Sequence, residues 1–299
     1  MLWGCDKSTA PAEHSSGASQ QLTTFIDDFI SRQQPEDIRG FPGVSIDLSA
    51  DAFAKGLEQT KAYLARLRTI DISELSIDEQ IDWRFAESIL RGQEIAQESI
   101  QSWKQDPRIY MQFANIGRVI GRSGDIKEKA NELLNILKVI PKQLSNGQQN
   151  LEIYLPRFQE LSIFMAESAI TLFENDIPAF ADTALSREIE IQNANNAARI
   201  ALESFLNFLK NELPQRTEGH WAIGKETYDA ILKDQYLLPY DSDELYEFGI
   251  EEFERTVSEL ETVALKIDST KTWQELIVDI KNDYPDPNKM IEVHQEWVN

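Results

Sequence analysis

The sequence predicts an all-α protein of roughly ten helices, several of them long and antiparallel, with no substantial sheet. Apolar residues recur at intervals of three and four along most of the 299 residues, which is the period of a helix with one buried face. No segment alternates between apolar and polar residues for long enough to indicate a sheet, and no repeat of fixed length indicates a solenoid. Ser, Thr and Asp stand where many of the apolar patterns begin, as helix N-caps do.

The N-terminal residues 1–21 are predicted to be a flexible tether, and residues 22–299 a helical domain. The tether is rich in Ser, Ala, Thr and Gln, a composition that disfavours a packed core. A short helix is expected over Leu22–Ser31. An extended connector then ends at Ser49, where a helix to Arg68 begins.

The stretch from Ser76 to Tyr110 contains the clearest helix signals in the sequence. Ser76 and Glu79 are spaced as a capping box, in which each side chain accepts a hydrogen bond from a free N–H of the first turn. A helix follows whose apolar residues are expected to face the core: Ile77, Ile81, Phe85, Ile89, Ala96, Ile100 and Trp103. Asp106 and Pro107 begin the next helix as its N-cap and first residue.

Gly117–Gly124 is rich in glycine and contains two arginines, a composition shared with phosphate-binding loops. It lacks the Gly-Lys-Ser/Thr ending and no strand precedes it, so a corner between two helices is favoured. Asp125 and Glu128 cap the second helix, which Pro141 should kink or end.

The remaining helices are predicted from the same signals. Pro156 opens one helix, and Asp241–Ile267 is the segment with the clearest heptad-like spacing of apolar residues. The other predicted elements are a helix over Ser186–Leu213, a loop over Gly219–Gly224, a short helix to about Tyr236, a capping box at Thr272 and Glu275, and a last helix from Asp286 and Pro287.

The charge balance excludes one class of partner. There are 29 Lys and Arg residues against 51 Asp and Glu, a formal net charge of -22. Such a surface repels phosphate backbones and anionic lipid, so no nucleic-acid partner is expected. The acidity is typical of a solvated, soluble surface.

The single cysteine, Cys5, rules out an internal disulfide. Leu2-Trp3-Gly4-Cys5 resembles the end of a bacterial lipoprotein signal, and Cys5 is the predicted lipid-attachment site. The protein is therefore expected in the bacterial cell envelope, lipid-anchored or exported to the periplasm. A membrane is expected as a partner only through a lipid anchor at Cys5.

No active site is evident in the sequence, and no catalytic or metal-binding residue is predicted. The three histidines, His14, His220 and His294, are far apart, and none forms the His-Glu-x-x-His pattern of zinc hydrolases. Adjacent carboxylates such as Glu251 and Glu252 are expected to solvate helix faces. A metal-free hydrolase that uses two carboxylates is a weaker reading.

Five segments together resemble the bacterial family catalogued as domain of unknown function 885. They are Ser76–Arg84, the Trp-x-x-Asp-Pro-x-x-Tyr run from Trp103 to Tyr110, Ile140-Pro141, and Gly219–Tyr228 with the following Ser242–Tyr246. The resemblance runs from about Leu22 to the end. It implies a mostly helical, zincin-like metallohydrolase, often exported, that is thought to be a peptidase.

The zinc signature of that family is a His-Glu motif followed by a second histidine pair, in the C-terminal half. No residue here matches it, so no cofactor is expected in this chain, and zinc only in a missing C-terminal half. The resemblance implies the N-terminal helical portion of such a hydrolase, inert alone, with a peptide substrate held together with the missing half. The alternative is a stand-alone, lipid-tethered helical binding module of the cell envelope.

Overall fold

The computed structural model describes residues 17–32, 47–111 and 113–298. Within them the regular secondary structure is helical, apart from one parallel pair of two-residue strands, β1 (Ile153–Tyr154) and β2 (Thr217–Glu218). The all-α prediction is therefore confirmed. The chain divides into two compact units, with the boundary between Leu238 and Pro239.

The described residues form the following α-helices, in chain order. They are α1 (Gly17–Arg32), α2 (Ala50–Leu67), α3 (Ile77–Glu94), α4 (Ala114–Gly121), α5 (Ile126–Asn150), α6 (Pro156–Thr171), α7 (Ile177–Thr183), α8 (Glu188–Asn211), α9 (Lys225–Ala230), α10 (Ser242–Ile267), α11 (Trp273–Asn282) and α12 (Met290–Val298).

Three single π-helical turns adjoin α-helices. Ile95–Ile100 continues α3, Leu172–Asp176 lies between α6 and α7, and Ile231–Gln235 continues α9. Short 3₁₀ turns occupy Ile72–Glu74, Ser102–Lys104, Pro107–Tyr110, Leu213–Gln215 and Pro287–Lys289.

The larger core of the first unit lies between α5 and α8, with α6 and α7 packed against them. Leu133 and Leu137 of α5 and Leu202 and Phe205 of α8 are fully buried in it. Burial of apolar surface on this scale is the main free energy that holds the long helices together.

A second core joins α1, α2 and α3. Phe25, Leu67 and Leu90 are buried there, and Tyr63 contacts the Phe25 ring edge-on. Helix α1 begins at Gly17, earlier than the predicted start at Leu22, because Ala18 is also buried in this core and orders the preceding turn. The remainder of the predicted tether, residues 1–16, lies outside the described residues, as does the connector before Asp47.

The prediction that the helix could end at Pro141 is wrong. Helix α5 continues from Ile126 to Asn150 through Pro141, although proline removes one backbone hydrogen bond. Leu137, Ile140 and Leu144 are buried on both sides of Pro141. Their packing stabilises the helix although one backbone hydrogen bond is missing. Asn146 and Gly147, further along, are also buried within the helix.

The predicted buried face of α3 is also wrong. Ile77, Ile81 and Phe85 are 76%, 60% and 63% exposed. The helix instead buries the neighbouring face, which carries Ala86 and Leu90. Small side chains such as Ala86 allow α2 to pack closely, and the larger apolar residues are left at the surface.

The second unit contains α10, α11 and α12. Asp241 and Thr272 form capping boxes with Glu244 and Glu275. Among the apolar residues described in this unit, only Ala264 of α10 and Leu276 of α11 are buried. The apolar residues of the heptad-like segment Asp241–Ile267 are therefore exposed or half-buried, apart from Ala264.

Candidate functional site

Of the three histidines and the cysteine, the structure describes only His220 and His294. Cys5 and His14 lie outside the described residues. His220 belongs to the first unit and His294 to the second, and both are exposed. The ring of His294 stacks on Trp297 with centroids 5.5 Å apart.

The donor set of the described residues does not fit a zinc centre. In those parts of the chain there is no group of three or more His, Cys, Asp or Glu residues that could hold a metal ion. Zinc centres require three or four such ligands converging on one point.

The glycine-rich segment forms a corner between α4 and α5, as predicted. Gly124 adopts a positive φ of 143° before the N-cap Asp125. Arg118 donates a hydrogen bond to Asn115, and Arg122 pairs with Glu132. Lys129 donates to the carbonyl oxygens of Ile120 and Arg122 at 2.7 and 2.8 Å, so it caps the end of α4.

The segment from Trp103 to Tyr110 has a structural role. Asp106 caps the 3₁₀ turn, accepting a hydrogen bond from the N–H of Arg108, and also pairs with the Arg108 side chain. The Tyr110 hydroxyl donates to the carbonyl oxygen of Trp103. Its ring is 1% exposed and packs where Gly147 of α5 has no side chain. This segment therefore locks α5 to the preceding chain.

The most promising site is a cleft of about 260 Å³ between the end of α3 and helix α9. Both walls end in π-helical turns, Ile95–Ile100 and Ile231–Gln235. The cleft is lined by Arg91, Glu94, Ile95, Glu98, Ser99, Glu226, Thr227 and Ala230. We call it the α3–α9 cleft.

One ion-pair network holds the two walls together. The Nη2 of Arg91 lies 2.6 Å from an oxygen of Asp234, and the Nε donates to the same oxygen at 3.2 Å. Arg91 also pairs with Glu94, whose side chain is only 16% exposed. The hydrogen bond with Asp234 raises the pKa of Arg91 above its usual value, and partial burial opposes this.

The walls also approach closely. A Cβ at Gly92 would lie 2.8 Å from Cδ of Gln235, so a larger residue there would displace the Gln235 side chain. Two non-glycine residues with positive φ follow the two turns, Gln101 at 48° and Leu237 at 55°. π-helical turns and left-handed residues of this kind are enriched at functional sites.

The charge of the α3–α9 cleft favours cationic ligands. Arg91 is already paired with Asp234 and Glu94, and Glu98 pairs with Lys61 at 2.6 Å on the outer side. Glu226 adds an exposed carboxylate on the opposite wall. Carboxylates at a partly enclosed cleft can bind ammonium or guanidinium groups, and Ser99 and Thr227 supply hydroxyl groups for hydrogen bonding.

The sequence from residue 41 to residue 299 matches the family model described as "Bacterial protein of unknown function (DUF885)". The chain belongs to this family. The resemblance drawn from the five segments is thereby confirmed at the level of the family. Among curated proteins, none matches the sequence.

A solved structure shows the same fold as this DUF885 chain. It is described as a putative lipoprotein of unknown function from Shewanella oneidensis, with a TM-score of 0.74 and 16% sequence identity. The similarity covers 95% of this chain and 56% of that one, so this chain spans about half of the length of its structural neighbour. None of the helices in the described ranges has both the length and the apolar composition needed to cross a bilayer.

Sequence reasoning missed the α3–α9 cleft, although a signal was present. Glu226 and Thr227 belong to the Gly219–Tyr228 segment that carries the DUF885 resemblance, and this segment supplies one wall. The other wall comes from the end of α3 and the π-helical turn that continues it. The pairing of these two distant segments is a tertiary contact, which helical periodicity does not encode.

Proposed function

We propose that this chain is the N-terminal helical portion of an exported, zinc-dependent, peptidase-like hydrolase of the bacterial cell envelope. The observation that carries the proposal is the acidic α3–α9 cleft, one wall of which comes from a segment of the family resemblance. Its carboxylates suit the amino terminus or the basic side chains of a peptide.

In this proposal the chain binds and orients a peptide, and it is inert alone. Glu226 would bind the cationic group, while the Arg91–Asp234 pair would keep the walls at a fixed separation. Zinc and bond cleavage are assigned to residues outside this chain, in keeping with its span of 56% of the structural neighbour. The description of that neighbour as a lipoprotein supports lipid attachment at Cys5 and an envelope location for this chain.

The experiment compares metal content, peptide binding and peptide cleavage of the purified chain. After incubation with zinc and gel filtration, we expect far less than one zinc per chain and no cleavage of a mixed peptide library. A peptide with a free amino terminus should nevertheless bind. One tightly bound zinc per chain together with cleavage would overturn the proposal.

A second function is that of a stand-alone lipid-tethered helical binding module. It is favoured by the first unit, which forms two buried hydrophobic cores from its own residues. It also predicts binding without cleavage. The two functions are distinguished by the natural length of the polypeptide, since the binding module requires no zinc-bearing half.

A further inference from the structure

A groove of about 540 Å³ lies in the first unit, between the α4–α5 corner and the segment formed by the π-helical turn after α6 and helix α7. Its volume is in the range of small-molecule binding sites. Apolar side chains from both segments line it, namely Ile120, Ile126, Leu172 and Phe180. We call it the α4–α7 groove. It shares no lining residue with the α3–α9 cleft.

Two glycines leave space in the α4–α7 groove. Gly117 and Gly121 lie one turn apart on α4, and both line the groove. A Cβ added at either position would have nothing within 4 Å, so the backbone of α4 faces free space there. A bulky side chain at Gly117 would therefore fill part of the groove without displacing its walls.

The α4–α7 groove contains a buried positive charge. Lys129 lines the groove and is only 9% exposed. No ion pair within the described residues includes it, although the chain has 51 Asp and Glu residues. Its ammonium group donates hydrogen bonds to two neutral carbonyl groups, those of Ile120 and Arg122. It also lies 5.4 Å from the centre of the Phe180 ring.

These partners compensate only part of the charge of Lys129. The carbonyl end of a helix carries the equivalent of roughly half a negative elementary charge, and an aromatic ring adds a weak attraction. An ammonium group has three N–H donors, of which the two carbonyl oxygens use two. A carboxylate in the groove would supply both the missing negative charge and the third acceptor.

Asp176 is the second charged residue of the α4–α7 groove. Its side chain is exposed, and within the described residues it forms no ion pair with Lys129 or with any other group. The other lining side chains carry no charge, and Thr183 adds a hydroxyl group. The groove therefore presents one cation, one anion and apolar walls. A short peptide with free termini and apolar side chains has the complementary groups.

We propose that the α4–α7 groove binds a short apolar peptide with free termini. The carboxylate of the peptide pairs with Lys129, its ammonium group pairs with Asp176, and its apolar side chains contact Ile126, Leu172 and Phe180. This site is independent of the α3–α9 cleft and of the proposed hydrolase.

The test titrates the full chain with four probes by isothermal titration calorimetry: leucyl-leucine, its C-terminal amide, its N-acetyl derivative and octanoate. We expect leucyl-leucine to bind about tenfold or more tightly than the amide, because the ion pair with Lys129 is buried. The N-acetyl derivative should bind up to about fivefold more weakly than leucyl-leucine, because Asp176 is exposed. Octanoate has a carboxylate but no ammonium group, so it should bind no more tightly than the N-acetyl derivative.

Binding at the α3–α9 cleft is separated from binding at the groove by the choice of probes. The amide keeps its amino terminus, which is the group proposed to bind at Glu226, and loses only the carboxylate. The ratio of the two affinities therefore reports on the groove. Glu226→Gln should leave this ratio unchanged, whereas Asp176→Asn should abolish the preference for leucyl-leucine over the N-acetyl derivative.

Two substitutions locate the binding site. Lys129→Met should bring the affinities for leucyl-leucine and its amide to within about twofold of each other. Because Lys129 also caps α4, Gly117→Leu provides a second variant, which fills the groove and should weaken binding of leucyl-leucine about tenfold or more. Gly249→Leu on α10 is the matched control, since nothing lies within 4 Å of its added Cβ either. Circular dichroism checks that each variant is folded.

The same titration of the protein isolated from its own cells shows whether further residues of the polypeptide fill the groove. We expect its affinity for leucyl-leucine to lie within about threefold of that of the 299-residue chain. Binding by the chain but not by the natural protein would overturn the proposal, because the rest of the polypeptide would then occupy the groove. Equal affinity for leucyl-leucine and its amide, equal weakening by Gly117→Leu and Gly249→Leu, or octanoate binding as tight as that of leucyl-leucine would also overturn it.

Discussion

The hydroxyl of Tyr110 donates a hydrogen bond of 2.6 Å to the carbonyl oxygen of Trp103. The amide of Asn150 donates to the same hydroxyl oxygen at 3.1 Å and to the carbonyl oxygen of Leu48 at 2.8 Å. Tyr110 and Asn150 together therefore connect the residues before α2, the 3₁₀ segment after α3 and the end of α5. Buried polar networks of this kind are costly to disrupt because the remaining groups lose their partners.

We expect Tyr110→Phe to lower the free energy of unfolding by about 1–3 kcal/mol, since it leaves the Trp103 carbonyl without this donor. Urea unfolding followed by circular dichroism measures the change. Tyr246→Phe is the control, because Tyr246 is 71% exposed. Equal stability of the two variants would show that the hydroxyl of Tyr110 does not stabilise the fold.

The burial of Tyr110 should also make the protein less stable at alkaline pH. Burial raises the pKa of Tyr110 from 10.0 to about 12, and the hydrogen bond from Asn150 acts in the opposite direction. The folded state therefore favours the neutral phenol. Its contribution is complete below about pH 10 and is lost as the pH rises towards 12, because the unfolded state releases the proton first.

We expect the free energy of unfolding to fall over that pH interval, and to fall less in Tyr110→Phe. Urea unfolding at several alkaline pH values measures both chains. Parallel decreases in the two chains would assign the loss to other groups.

Alanine substitution at two glycines in different helices should have different effects on the free energy of unfolding. A Cβ at Gly147 would lie 2.8 Å from Cγ of Tyr110 and 3.0 Å from Cε2 of Phe205, both in the core. We expect Gly147→Ala to destabilise the protein by about 1–3 kcal/mol, since overpacking outweighs the better helix propensity of alanine. Thermal unfolding measures the change.

Gly117→Ala is the matched control, because nothing lies within 4 Å of its added Cβ in α4. It should be neutral or stabilise the protein by up to about 1 kcal/mol through helix propensity alone. Destabilisation of similar size in both variants would contradict the role of close packing at Gly147.

The α3–α9 cleft should discriminate between charged and neutral peptide termini. We expect Glu226→Gln to weaken the binding of a peptide with a free amino terminus by up to about fivefold, as exposed ion pairs contribute up to about 1 kcal/mol. Isothermal titration calorimetry measures the affinity, and the N-acetylated peptide should bind equally to both chains. Glu152→Gln is the control, since Glu152 pairs with Lys104 and does not line the cleft. Equal weakening by both substitutions would indicate a general charge effect.

Helix starts were predictable because capping is local chemistry. The capping box of Ser76 and Glu79 and that of Thr272 and Glu275 form as the sequence predicts, and Asp125 caps α5. In each case the hydrogen bonds join residues two or three positions apart. Local spacing alone therefore determines the contact.

Buried faces and the α3–α9 cleft were not predictable in the same way. Periodicity shows that α3 has an apolar stripe, but the exposure of Ile77 and Ile81 follows from where α1 and α2 pack. The cleft depends on the contact of Arg91 with Asp234, which are 143 residues apart. It also depends on two π-helical turns, for which the sequence carries no periodic signal.

The central claim is that this chain is one portion of a longer zinc-dependent hydrolase. The most direct test is the intact mass of the protein isolated from its own cells. The account predicts a polypeptide much longer than 299 residues, whose additional part carries the His-Glu zinc motif. A mass equal to that of the 299 residues, with or without lipid at Cys5 and the loss of the residues before it, would contradict the account and favour the stand-alone binding module.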